Sequence, residues 1–363
     1  MSPLSPLPQW APRGSQARTT PLLTTLTRDP TDSRALRSLY DNYNYAGHVD
    51  RACSVVEMLT VLGKNTPGQH VYLGRHRPKE TLAARSPLTE ALIRDHVAHE
   101  DEDPYLTAIM SLVAPALASW RAHPYLPVSL DPQHRIDVTL HPSDAARMVK
   151  YAARVLNVLT PDLFLRPDDR GDFCLINATR QGRLRPTLVL FEGLLGRANE
   201  AELAFGVGRA MAKLLVPHFA VVAVDHSPQA VKQVVLALCR ADGHVIGGDR
   251  DVEAHREIAA IIHQHMQPAA RECLRRVIAR IAEEGHPLDV ERWVAAVEYT
   301  ESRVGLLLTG DIRVAAKGLA DEPTPLSDTC TVSAKERLHD LFRYALTDDY
   351  YIVRKALGID IPE

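Results

Sequence analysis

Glu200-Ala-Glu-Leu-Ala-Phe-Gly-Val-Gly-Arg-Ala-Met-Ala-Lys-Leu-Leu215 is the stretch on which the fold turns. It reads as a helix over about 199–216. Asn199 is a good N-cap, and Glu200 and Glu202 place negative charge where the helix dipole is positive. Arg209 and Lys213 stand at i and i+4, which puts two cations on one helical face, with Ala210 beside the first.

Upstream of this helix the period of the apolar residues changes. Leu163-Phe-Leu165, Phe173-Cys-Leu-Ile176 and Thr187-Leu-Val-Leu-Phe191 are short β-rich runs. Turn residues separate them, Pro167-Asp-Asp-Arg-Gly171 and Gln181-Gly-Arg-Leu-Arg-Pro186, and the expectation is a small antiparallel sheet of three strands. Before the sheet, Ser143 and Asp144 open a helix ending near Val158, with Ala146, Met148, Val149, Ala152, Val155 and Leu156 on a broad apolar face. After Asn199 the whole chain reads as helix: about 226–240, 251–264, 267–285, 288–309, 311–320, 332–345 and 348–357. Asp311 caps the helix that follows Gly310. Gly243-His-Val-Ile-Gly-Gly248 lacks the strand-turn-helix setting of a phosphate loop and reads as a connection between helices.

The first half is also helical. Residues 1–30 are rich in Pro, Ser and Thr and are expected to form a disordered arm. Asp32 or Ser33 caps a helix carrying Leu36, Leu39, Tyr40 and Tyr43, and a second helix follows Gly47. Residues 66–82 read as a loop with a short strand at Val71-Tyr-Leu73. Helices are expected at 87–98 and 104–122. The proline-rich stretch 124–142 suggests a linker, dividing a helical domain at 31–123 from a second domain at 143–363.

Net charge is −3, which leaves no electrostatic footprint for nucleic acid. No uncharged apolar run reaches the ~18 residues of a membrane helix, and Met1-Ser-Pro-Leu-Ser-Pro-Leu-Pro8 has no signal-peptide character. Five scattered cysteines, Cys53, Cys174, Cys239, Cys273 and Cys330, form no metal-type pair and suggest a reducing, cytoplasmic setting. Cys239 and Cys273 fall on apolar helical faces and are expected in the core. His96, His99 and the acids 100–103 could attract a divalent ion, but a solvated helix end explains them as well. His263 and His265 would bind a metal only with help from His255 or Glu257.

Two resemblances follow from these residues. Leu39, Tyr43, Gly47, Ala52, Val56 and Leu59 fall close to the spacing of one tetratricopeptide unit, in which small residues let two helices approach and large ones fill the groove. The order helix, three strands, then the 200–215 helix is similar to the core of the HtpX and CAAX-prenyl-endopeptidase family of zinc peptidases. That family carries His-Glu-x-x-His where this chain has Arg209-Ala-Met-Ala-Lys213. Its third zinc ligand is a Glu followed four residues later by an Asp. Glu298 matches the ligand position, and Ser302 replaces the Asp. The resemblance covers about 143–320, and similar domains follow helical repeats in large bacterial proteins.

What this implies is an α+β, predominantly helical protein: tetratricopeptide-like hairpins joined to a degenerate metallopeptidase-like domain. With cations replacing both His and Ala210 replacing the general base, neither zinc nor water activation is expected at this position. Lys213 or Arg209 is expected to pair with Glu298, a salt bridge in place of a metal tether. The function expected is a non-catalytic scaffold that binds a protein partner, with no cofactor, no metal, no nucleic acid and no membrane insertion. Two alternatives remain. One is an enzyme of another class, holding an anionic substrate between Arg209, Lys213, Glu298 and Glu301. The other is a zinc protein with relocated ligands.

Overall fold

The computed structural model describes residues 13–78, 83–125, 130–167, 169–196, 199–243, 252–322 and 332–362. Helices dominate. The first group is α1 (Arg13–Arg28), α2 (Ser33–Ala46), α3 (Val49–Val61), α4 (Pro67–His76), α5 (Glu90–Leu92, running into a π-helical turn at Ile93–Val97) and α6 (Pro104–Arg121). Next come strand β1 (His123–Pro124), helix α7 (Asp144–Leu156), and strands β2 (Asp162–Arg166), β3 (Phe173–Ile176), β4 (Ala178–Arg180), β5 (Arg183–Leu184) and β6 (Thr187–Phe191). The chain then continues through α8 (Glu192–Leu195), α9 (Glu200–Ala212), α10 (Val216–Ala223), α11 (Pro228–Ala241), α12 (Val252–His265) and α13 (Pro268–Glu284). It closes with α14 (Val290–Thr309), α15 (Ile312–Ala320), α16 (Ala334–Tyr344) and α17 (Asp348–Leu357).

The caps read from the sequence are in place. Asp32 accepts from the Arg34 and Ala35 backbone, Ser143 from Ala146, Asn199 from Glu202, and Asp311 from Arg313. Four expectations need correction. Residues 13–28 of the expected arm form α1, and residues 1–12 lie outside the described part. Val71–Leu73 is helical, because Thr66 and Gln69 make a reciprocal capping box and Pro67 occupies the first turn. The helix expected over 199–216 stops at Ala212, and α10 leaves it at 80°. Pro217 explains the break: it has no N–H for the next helical bond, and its ring would clash with the Lys213 carbonyl.

The fourth correction concerns the sheet, which is mixed in order β2-β6-β3 rather than antiparallel throughout. After β3 the chain makes the β4–β5 hairpin through Gln181 and Gly182, both at positive φ. It returns as β6 between its predecessors, parallel to β2 and antiparallel to β3. A second small sheet has order β1-β4-β5.

Buried residues do not sort by the expected division at 124–142. One cluster joins Leu36, Leu39 and Leu59 of the first helices to Leu190, Phe205, Leu307, Phe342 and Tyr350. A second surrounds Trp293 and unites α6 with α10 to α14. The α2–α3 hairpin buries Leu39, Tyr43, Ala52, Val56 and Leu59, and α3 packs on α15 instead of on a second copy of the hairpin. Among the described residues, no single helix is long and apolar enough to cross a membrane.

Candidate functional site

The position singled out by sequence lies where α9 crosses α14, the most extensive helix pairing among the described residues. Glycines set the approach. A Cβ on Gly208 would lie 3.1 Å from the Gly305 Cα, and one on Gly305 would lie 2.8 Å from the Phe205 carbonyl oxygen and 2.7 Å from Arg209 Cγ. The two backbones therefore touch. Ala210 is fully buried beside them.

Arg209 and Lys213 are both drawn inward, each onto a carboxylate. The Lys213 Nζ is 2.8 Å from Glu301 Oε2, and the Arg209 Nη2 is 3.1 Å from Glu322 Oε1. Glu322 also holds Arg337 and so clamps α9 to α16. The expected partner, Glu298, instead accepts from the Val332 backbone N–H at 3.4 Å. Helix rise explains the substitution. Lys213 lies ~7.5 Å beyond the crossing at Gly208, whereas on α14 Glu301 lies ~6 Å and Glu298 ~10.5 Å from Gly305. Glu301 is the carboxylate nearer in level to the ammonium. Ser302 is buried and donates to the Glu298 carbonyl at 3.0 Å, a contact within its own helix. Beside Arg209 a cavity of about 20 Å³ borders Glu202, Phe205 and Lys317, with room for about one water.

Close in sequence to Lys213, a second set of buried polar groups begins at His218. His218, 2 % exposed on α10, sets its Nε2 3.4 Å from Glu102. Burial alone would lower the His218 pKa and raise that of Glu102. Burial is the largest single influence on each, but their mutual attraction and hydrogen bond, with Glu301 acting on His218 and Thr300 and Arg303 on Glu102, together reverse it, so His218 is raised and Glu102 lowered. Thr300 donates to Glu102 and accepts from the His99 backbone N–H at 2.8 Å. The His99 ring stacks on Tyr299 and approaches Asp340 at 3.4 Å. Arg303 grips Asp340 through two hydrogen bonds of 2.9 and 2.7 Å and donates to the Val97 and Ala98 carbonyls. Burial would raise the Asp340 carboxyl, but the Arg303 guanidinium and the His99 ring together override it, holding the pKa at about 2.

Most of these groups line a cleft of about 1490 Å³, bounded by α1, the π-helical turn, the start of α10 and the α16–α17 junction. The acidic segment expected as a solvated helix end lies in that wall; Glu100 is exposed, and its other members are half-buried and held by separate partners. His96 pairs with Asp349 at 2.7 Å, Asp101 with Arg292, and Asp103 both caps α6 and holds His286. Its members diverge to separate partners and do not converge on one point. Neither do the other histidines. His255 is buried between Gln233 and Arg240, while His265 faces Ser119. Glu257 is exposed. Among the described residues, no group of three or more His, Cys, Asp or Glu is placed to hold a metal ion. Cys239 is buried as expected, but Cys273 is exposed. Cys330 and residues 244–248 lie outside the described part.

His218, Thr300, Arg303, Glu322 and Asp340 carry the polar architecture, and sequence reasoning passed over all of them. They come from α10, from α14 (Thr300 and Arg303), from α16 and from just beyond α15, far apart in sequence and with no motif spacing to announce them. No family model matches the chain, and neither a curated protein nor a solved structure matches it.

Proposed function

We propose that this chain is a non-catalytic interaction or scaffold protein built on a degenerate zinc-peptidase architecture. One observation carries the reading. The Gly208–Gly305 crossing joins the two helices on which such an enzyme would hold its metal, and their own backbones fill the space between them. At the positions of the two zinc-binding histidines stand Arg209 and Lys213, each neutralised by a carboxylate of the same chain. Ala210 supplies no base for water. A second chemistry reusing this position finds about 20 Å³ beside Arg209, too little for a substrate. The four described cysteines are unpaired, which suits the cytoplasm.

Elemental analysis of the purified protein together with cleavage assays on a fluorogenic peptide library tests the reading. The expected result is less than stoichiometric zinc and no chelator-sensitive cleavage. One zinc per chain, or turnover that a chelator abolishes, would overturn it. Affinity purification from the native host should then recover a protein partner in stoichiometric amount.

A further inference from the structure

The large cleft has a charge bias that its internal pairs do not remove. Its lining carries eight carboxylates against four guanidinium groups and no lysine. All four arginines are committed: Arg51 to Asp348, Arg94 to Asp95, Arg303 to Asp340, and Arg343 to the Thr27 carbonyl. Glu90 and Glu100 are exposed in the wall and form no ion pair among the described residues. On the floor, His218 is 2 % exposed, and its Nδ1 has no hydrogen-bond partner. The volume exceeds the ~300–1,000 Å³ typical of small-ligand sites, and the wall carries both acids and apolar side chains.

We propose that this cleft binds a basic, extended segment of a partner protein. Its Lys or Arg side chains meet the wall around Glu90 and Glu100, and apolar residues between them lie on Leu23, Ile93, Leu215 and Leu346. The proposal rests on the non-catalytic reading and names the chemistry of the partner. Charge complementarity selects a cationic occupant, because an acidic segment would meet uncompensated carboxylates. The volume of about 1490 Å³, above that of typical small-ligand sites, favours a chain over a compact amine.

The test uses the full chain and a fluorescein-labelled peptide of alternating lysine and leucine, followed by fluorescence anisotropy at low and high salt. A peptide with glutamate in place of lysine is the control. The expected result is saturable binding of the basic peptide, lost at high salt, with the acidic peptide silent. The double variant Glu90→Gln/Glu100→Gln should weaken binding about fivefold with unchanged melting temperature. Glu253→Gln, which removes a charge from the distant and exposed start of α12, should leave it unchanged. Absence of saturable binding, equal weakening by Glu253→Gln, or full competition by spermine would overturn the proposal. In those cases a zinc-free, non-cleaving protein leaves the non-catalytic reading standing, whereas cleavage of the peptide would overturn that reading itself.

Discussion

Glu57 sits at the end of a charge cluster that fastens the first helices to the last. It is 1 % exposed, 2.7 Å from the Arg77 guanidinium, and accepts from the Ile312 backbone at the start of α15. Burial pushes its carboxyl up to about 7, against the pull of Arg77. The folded pKa therefore lies above the unfolded value near 4.5, and the folded state binds the proton more tightly. Its stabilising contribution is complete below 4.5 and is lost as pH rises through 7. Glu57→Gln keeps an acceptor for Ile312 and has no charge to bury. Urea denaturation should therefore show the native protein losing stability relative to this variant between pH 4.5 and 7. A parallel pair of pH profiles would refute the assignment. Asp340 has the opposite sense: its stabilisation is present above pH 3.8 and disappears as pH falls toward 2.

Glycines separate two kinds of helix interior. Gly305 cannot accept a Cβ without moving the Phe205 backbone, so Gly305→Ala should cost about 1–3 kcal/mol in spite of alanine's better helix propensity. Gly74, inside α4, has nothing within 4 Å of its missing Cβ, and Gly74→Ala should stabilise by about 0.5–1 kcal/mol. Thermal denaturation of the two variants checks the contrast in sign. The helices themselves were largely legible, because a cap such as Asp32, Ser143 or Asn199 is a local signal and the apolar period repeats it. Where a second local signal competed, the reading failed. Val71-Tyr-Leu73 has strand-forming residues, yet the capping box of Thr66 and Gln69 starts a helix through them. Strand direction was illegible for a different reason: β6 inserts between β2 and β3 through a register that no run of three strands discloses by itself.

At the scale of the molecule, the proline-rich stretch suggested two domains, yet burial crosses it. Leu36 and Leu39 share a core with Phe205 and Leu307, and Arg354 of α17 is 1 % exposed against Asp50 of α3 at 2.7 Å. A fragment of residues 143–363 would expose that apolar face and leave Arg354 without its carboxylate. Expressed alone, it should be aggregated or lack cooperative unfolding by circular dichroism; a monomer with a sharp transition would refute this. Composition cannot reveal such a shared core, since it depends on which faces meet. The candidate site divides in the same way. The positions Arg209, Lys213 and Glu298 were legible as a spacing, whereas the choice of Glu301 over Glu298 depends on where two glycines let the helices cross. Lys213 and Glu301 are delivered by the same chain, so the fold fixes their effective concentration and the medium has no part in it. A joint of that kind does not depend on protein concentration. Dilution leaves α9 and α14 fastened as before.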